Sequence, residues 1–432
     1  MPSPWIARAL ASCGLMLCLA LGLTATAAAQ SIEVDRQRGL QMLDQIHKDL
    51  VEHYYDPMVR GIDLDALVAR ARQRIGAAGS LGEIFAVLGG VCLDVKDSHV
   101  WFLPPRRVQV VHYGWTWRAV GDRVLVSEVS DGSDAAAKGL RIGDTVVELA
   151  GYALTRANHA TIAYLLWELR PQPSLTVVVE RDGIRRTLVL ASRFVTFPSR
   201  LDLDDPDGRI RFLFQEFEDD DDWHAWHARL AKDVLYWRIP RFLPDTTMSG
   251  FRGEVRRARA VVLDLRGNPG GSMATLQAAA GLFAPDTELL TRVNREGRAM
   301  VRTAKGDKPF PGDVVVLVDS ETASAGELLA RFLQIRSARL VGDRTAGYVT
   351  AGRTFAHAAG DGPIKVLYKV QVAVADGILP DGKRLEGVGV TPDIVMLPTP
   401  DDLLEGRDPV LVHAAGLVGV TLDPKNPLQL KK

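Results

Sequence analysis

Apolar positions follow three textures along the chain. Gln37–Tyr54 carries Leu40, Leu43, Ile46, Leu50 and Val51 at helical spacing, and Leu64–Ile75 and Leu81–Val91 repeat the pattern. These predict a helical region ending near Val100. From about Arg107 the runs become short and β-like: Val108–Val111, Arg123–Val129, Thr145–Glu148, Leu175–Arg181 and Thr187–Leu190. After the acidic, loop-like stretch Leu201–Asp222, strand and helix patterns alternate. The strands are Leu235–Ile239, Val261–Leu265, Val314–Val318, Leu340–Gly342 and Ile364–Ala375; the helices are Ala274–Phe283 and Ala325–Ile335. That alternation predicts an α/β core with a mostly buried sheet, inside an α+β multidomain chain.

The first residues read as a secretory signal: Arg8, then the apolar Ala9–Leu23, then small residues at Ala27-Ala28-Ala29. The expected boundaries are 1–29 for the signal, 30–106 for the helical region, 107–197 for the β-domain and 198–432 for the core. Export to the periplasm or medium follows, with cleavage near Ala29 and no stable membrane span in the mature chain. Cys13 and Cys18 fall in the signal, which leaves Cys92 without a partner for an internal disulfide. The 47% hydrophobic content allows a large core instead. A net charge of −1 offers no patch for nucleic acid. No CxxC or HExxH occurs, Asp219–Asp222 lacks calcium-loop spacing, and His224 and His227 make a weak pair, so neither metal nor cofactor is expected.

Two strand-to-turn segments carry the candidate chemistry. In Val314–Glu327, VVVLVDSETASAGE, Ser324 sits where a strand hands over to a helix. Free N–H groups and the positive helix end favour a developing oxyanion there. Ser324 and Glu327 also fit a capping box, in which the serine only caps the helix. In Val261–Gly271, VVLDLRGNPGG, Gly270 and Gly271 permit close backbone approach and free N–H groups.

Two resemblances extend this reading. The stretch from Gly132 to Asp144, with its Gly-Leu-x-x-Gly-Asp end, resembles a PDZ domain spanning about Arg107–Phe197, with Ala157–Leu169 as its second helix. That likeness implies binding of protein or peptide C-terminal ends by strand addition, with Tyr113, Gly114, Trp115 and Thr116 forming the carboxylate loop. The core stretches VVLDLRGNPGGS, VDSETASAGELLARFLQ, LVGDRTAG and LEGVGVTPDI resemble the C-terminal processing (tail-specific) serine peptidases, which include the tricorn protease core. The resemblance implies a crotonase-like core, Ser324 as nucleophile, and an oxyanion hole from Ala325 and either Gly270 or Gly271. Where many members place a general-base lysine, this chain has Tyr348 in Gly347-Tyr348-Val349, a poor base near neutrality. The tricorn branch implies a histidine instead: His99 as base, with Ser98 and Glu386 completing a tetrad. A homo-oligomer is compatible with this resemblance. A non-catalytic binding protein on the same fold and a PDZ adaptor for another protease stay open as alternatives.

Overall fold

The computed structural model describes residues 31–105, 109–196, 224–244, 248–306, 308–360 and 365–425. The signal-like segment 1–29 and the acidic run Asp219–Asp222 lie outside them.

Runs such as Ala260–Asp264 and Asp313–Val318 are apolar at successive positions, which suits a strand covered on both faces. They form the middle of a six-stranded sheet in the order Trp226–Ala231, Val234–Arg238, Ala260–Asp264, Asp313–Val318, Arg339–Gly342, Ile394–Val395. The first two strands are antiparallel and the other pairs parallel. Helices Met273–Phe283 and Ala325–Gln334 cover one face through Leu276, Ala279, Leu329 and Phe332. Helix Pro409–Leu417 covers the other through Val410, Leu411 and Ala414. The turns that bear Gly270-Gly271 and Ser324 leave the carboxyl ends of neighbouring central strands, the place where parallel sheets bind ligands.

A second sheet joins Trp101–Leu103, Val366–Ile378, Glu288–Asn294 and Gly297–Arg302, with Ala351–Ala359 paired to Val366–Ile378. The helix over residues 31–53, with Leu64–Ala77 and Leu81–Asp94, packs on this sheet. Leu43, Ile46, Leu50, Ile84 and Leu88 share one core with Phe102, Tyr368, Val370 and Val372. The helices of this segment therefore share their core with the sheet and do not close one of their own. Their apolar faces are completed by a strand from the far end of the chain, with Trp101 opposite Gln371. This pairing carries the Ser98-His99 segment to the core.

The inserted β-domain has its own core, including Val111, Trp115, Val124, Leu149, Ile162 and Leu175. Its sheet runs Trp115–Val120, Arg123–Val129, Thr145–Leu149, Ser174–Arg181, Ile184–Ala191, with Tyr152–Ala153 on the third strand. The helix read as Ala157–Leu169 starts at His159 and passes after Ala163 into a π-helical turn, Tyr164–Leu169. Strands Gln109–His112 and Arg193–Thr196 pair and bring the ends of the insertion together. The domain docks beside the serine turn. Asp343 Oδ2 accepts from Gly121 N and Arg156 Nη1, both at 2.8 Å, and Ser320 Oγ donates to Ala119 O at 2.5 Å. Among the described residues no helix is long and apolar enough to cross a membrane.

Candidate active site

Ser324 is the N-cap of helix Ala325–Gln334 and has φ +50°, ψ −120°, a backbone conformation costly for a residue with a side chain. Such strain persists only where the surroundings impose it. Here they do: Ser324 N–H lies 2.7 Å from the Tyr348 carbonyl and 3.2 Å from Glu327 Oε2. Glu327 is fully buried and also accepts from Gly347 N at 2.8 Å, Tyr348 N at 2.7 Å and the Thr345 hydroxyl. Burial pushes its carboxyl up to about 7 against the pull of these donors. Of the capping box expected from Ser324-x-x-Glu327, the arm from Ser324 N to Glu327 Oε2 is made. It coexists with the strained turn, because the acid that caps the helix also fixes the loop behind the serine.

The glycine turn is stitched to the serine turn. Asn268 is buried, donates Nδ2 to Ile239 O at 2.8 Å and accepts Gly270 N at Oδ1 at 2.7 Å. Its carbonyl accepts Ala323 N at 2.8 Å, Thr322 Oγ1 donates to Leu265 O at 2.9 Å, and Gly267 N donates to Asp319 Oδ1 at 2.9 Å. Gly270 (φ +102°) faces the serine. A Cβ there would lie 2.9 Å from Ser324 Oγ and 3.0 Å from Ala325 N. Gly271 (φ +133°) instead backs onto the Phe242 carbonyl, 2.3 Å from a would-be Cβ. Among the described residues, the N–H groups of Gly271 and Ala325 have no acceptor, whereas that of Gly270 is taken by Asn268. The space in front of Ser324 is thus open for want of a side chain at Gly270, with two unengaged donors in the adjoining backbone.

His99 reaches the site from the opposite end of the sequence. Its Nδ1 is 2.9 Å from Ser98 Oγ, and Ser98 Oγ donates to Glu386 Oε2 at 2.9 Å. Glu386 also accepts from Ser98 N at 2.8 Å and Val349 N at 2.9 Å. Glu386, Ser98 and His99 therefore form a continuous chain, built from residues that the sequence separates by almost three hundred positions. No hydrogen bond joins His99 to Ser324 among those the described residues make. Burial holds the His99 imidazole below the ordinary histidine value, with the charge of Asp97 pulling the other way. Burial, then the Asp97 charge, raises the Glu386 carboxyl against its donors. Gly352 sits against the ring, its would-be Cβ 3.0 Å from His99 Cδ2.

Tyr348 has a structural explanation. Its backbone holds the serine turn on both sides, through its carbonyl and its N–H. Its phenol is raised above the ordinary tyrosine value, first by burial and then by the Glu386 and Glu327 charges, so it stays protonated at neutrality. Tyr348→Phe should hold any hydrolytic activity within about threefold, as expected of a phenol with no proton to move near pH 7. A loss of a hundredfold in an otherwise folded variant would contradict that role.

The expected carboxylate loop lies at the start of the β-domain sheet. Tyr113 is buried, its hydroxyl donating to Leu166 O at 3.3 Å and accepting Gln172 N at 3.0 Å. Gly114 (φ +74°) packs on Ser133 and accepts Ser130 N at 2.9 Å. Trp115 is buried, and Thr116 is exposed beside Ser127. Among the described strands, Trp115–Val120 pairs on one side only. The ring of Trp167 meets Trp117 at 4.9 Å and Tyr113 at 4.5 Å. His227 lies in strand Trp226–Ala231 with its ring against Phe251, and His224 precedes that strand. Sequence reasoning assigned no role to Asp97, Asn268 or Thr350; the first two lie within two residues of His99 and Gly270, and only spatial contact joins Thr350 to His99.

Residues 233–396 match Peptidase family S41. A tricorn protease homologue of Streptomyces coelicolor is 27% identical over 415 residues, which is 90% of this chain and 33% of that protein. A carboxyl-terminal-processing protease of Synechocystis is 35% identical over 174 residues, 39% of each chain. The matches thus span only a third to two fifths of these relatives' lengths. Among solved structures, mature CPAF aligns with TM-score 0.63 at 16% identity, covering 86% of this chain and 94% of that one. The photosystem II D1 C-terminal processing protease aligns with TM-score 0.50 at 20% identity, covering 84% and 94%. The fold is therefore shared with mature CPAF and the D1 processing protease, and residues 233–396 are similar to peptidase family S41.

Proposed function

We propose that this chain is an exported serine endopeptidase that cleaves unfolded or C-terminal segments of proteins through an acyl-enzyme on Ser324. The observation that carries the reading is a strained serine with two unengaged backbone donors beside it, held by the same loop, residues 347–350, that binds the Glu386–Ser98–His99 chain. In this mechanism His99 Nε2 takes the Ser324 proton as Oγ attacks the scissile carbonyl. The imidazolium then returns that proton to the leaving amine, and a water repeats the sequence on the acyl-enzyme. Glu386, through Ser98, orients the ring and steadies its charge. Ala325 and Gly271 donate to the oxyanion. Gly270 contributes by having no side chain, since its own N–H is committed to Asn268. A base held below the ordinary histidine value is neutral, and so able to accept a proton, at pH 7.

The inserted domain serves as a PDZ module in this reading. Its unpaired Trp115–Val120 edge would receive an extended chain end. Its docking on Asp343 and Ser320 places it next to the serine turn, where occupancy of the module can influence the site.

Ser324→Ala and His99→Ala should each reduce cleavage of an unfolded protein substrate by at least about a thousandfold. Binding of a C-terminal peptide to the inserted domain should survive both changes. Unchanged cleavage by either variant would exclude the mechanism.

A further inference from the structure

The Glu386–Ser98 chain does not account for all the groups that His99 Nδ1 meets. Thr350 Oγ1 is 3.1 Å from the same nitrogen and donates to Asp97 Oδ1 at 2.8 Å. Thr350 is 1% exposed and Asp97 6% exposed. Asp97 Oδ1 also accepts the His99 backbone N–H at 3.0 Å, while its Oδ2 accepts the Tyr54 hydroxyl at 2.9 Å and lies 3.6 Å from Arg60 Nη2. A carboxylate oxygen of Asp97, a carboxylate oxygen of Glu386 and a ring nitrogen of His99 all lie within 4.8 Å of one another. One buried carboxylate and one half-buried one thus converge on one ring nitrogen, each through a hydroxyl.

Proton counting decides what this arrangement does. Each hydroxyl has one hydrogen. Ser98 spends its hydrogen on Glu386, and Thr350 spends its hydrogen on Asp97. Both oxygens therefore turn lone pairs towards Nδ1, which must carry the ring hydrogen. Nε2 is left bare, the tautomer a base needs. A single hydroxyl at Nδ1 could reverse its bond and let the ring flip tautomer. Here, if one hydroxyl reverses, the other oxygen still turns a lone pair towards a bare Nδ1, so the flipped tautomer carries a repulsion that a single hydroxyl would not impose. Thr350 also ties the two arms, since its own N–H lies 3.3 Å from Glu386 Oε2.

We propose that Thr350 and Asp97 are positioning residues forming a second relay on His99, parallel to Ser98 and Glu386, which locks the ring's tautomer and holds its protonated form. The proposal rests on the reading of His99 as the base for Ser324, so its test carries a readout independent of catalysis. In the full chain with ring-labelled histidine, His99 is titrated by NMR, its signal assigned by loss in His99→Gln. In parallel, the rate of Ser324 labelling by a fluorophosphonate is followed against pH.

Thr350→Val keeps the shape and removes the hydroxyl. It should lower the His99 titration midpoint and slow labelling at neutral pH by about tenfold or more. The sign follows from the Asp97 charge, which favours the imidazolium and loses its bridge. Thr350→Ser should restore both readouts. Asp97→Asn should lower the midpoint as well, and it decides the matter if Thr350→Val does not fold. An unchanged His99 midpoint in Thr350→Val or in Asp97→Asn would overturn the relay, even if labelling fell, because a merely structural loss does not move the titration. If wild-type protein fails to label at all, the Ser324 mechanism fails, and the His99 titrations still decide whether the relay exists.

Discussion

Gly270→Ala is expected to suppress acylation of Ser324 by about a hundredfold or more, a loss comparable to removing an oxyanion donor. The added Cβ would lie 2.6 Å from Ser324 Cβ, 2.9 Å from Ser324 Oγ and 3.0 Å from Ala325 N. It would fill the space where the tetrahedral oxygen must form, and φ +102° adds backbone strain. Gly267→Ala separates the two effects. Gly267 also has positive φ, +68°, but open space where its Cβ would be. It should lose about 1 kcal/mol of stability and keep its labelling rate. Equal rates for the two variants would show that Gly270 does not front the serine.

Glu327→Ala should cost about 3 kcal/mol or more of stability and disable the site as well. One side chain accepts from Ser324 N, Gly347 N, Tyr348 N and the Thr345 hydroxyl. Removing it leaves buried donors unsatisfied, at about 1–3 kcal/mol each before relaxation. It also releases the loop whose Tyr348 carbonyl holds the serine. Glu327→Gln keeps one accepting oxygen but turns an amide against donors, so it should fall between alanine and wild type. Urea unfolding midpoints beside labelling rates would check this. An alanine variant as stable and reactive as wild type would mean that the acid only caps the helix.

The core was legible because its strands are buried on both faces. The continuous runs at Ala260–Asp264 and Asp313–Val318 and the helices behind them appear within a residue or two of their expected bounds. Ser324 was legible for a local reason, a strand ending in small residues before a strong helix pattern. The ordered motifs pointed to His99, Ser98 and Glu386, but spacing alone could not bring them together. That depends on Trp101–Leu103 joining Val366–Ile378, a long-range pairing with no local signal. The edge strand Trp115–Val120 was missed because a bulge between Thr116 and Trp117 interrupts its alternation. The hairpin Glu288–Asn294/Gly297–Arg302 was missed because its second strand is mostly exposed and polar. Thr350 meets Asp97 and His99 only through contacts across the fold.

The central claim is that Ser324 is a nucleophile activated by His99. Incubating the protein with a fluorophosphonate and locating the adduct by mass spectrometry tests it most directly, with Ser324→Ala and His99→Ala alongside. The account predicts an adduct on Ser324 in the wild type, none in Ser324→Ala, and labelling of His99→Ala slowed by at least about a thousandfold. No adduct on Ser324, even with unfolded protein added to occupy the inserted domain, would contradict it.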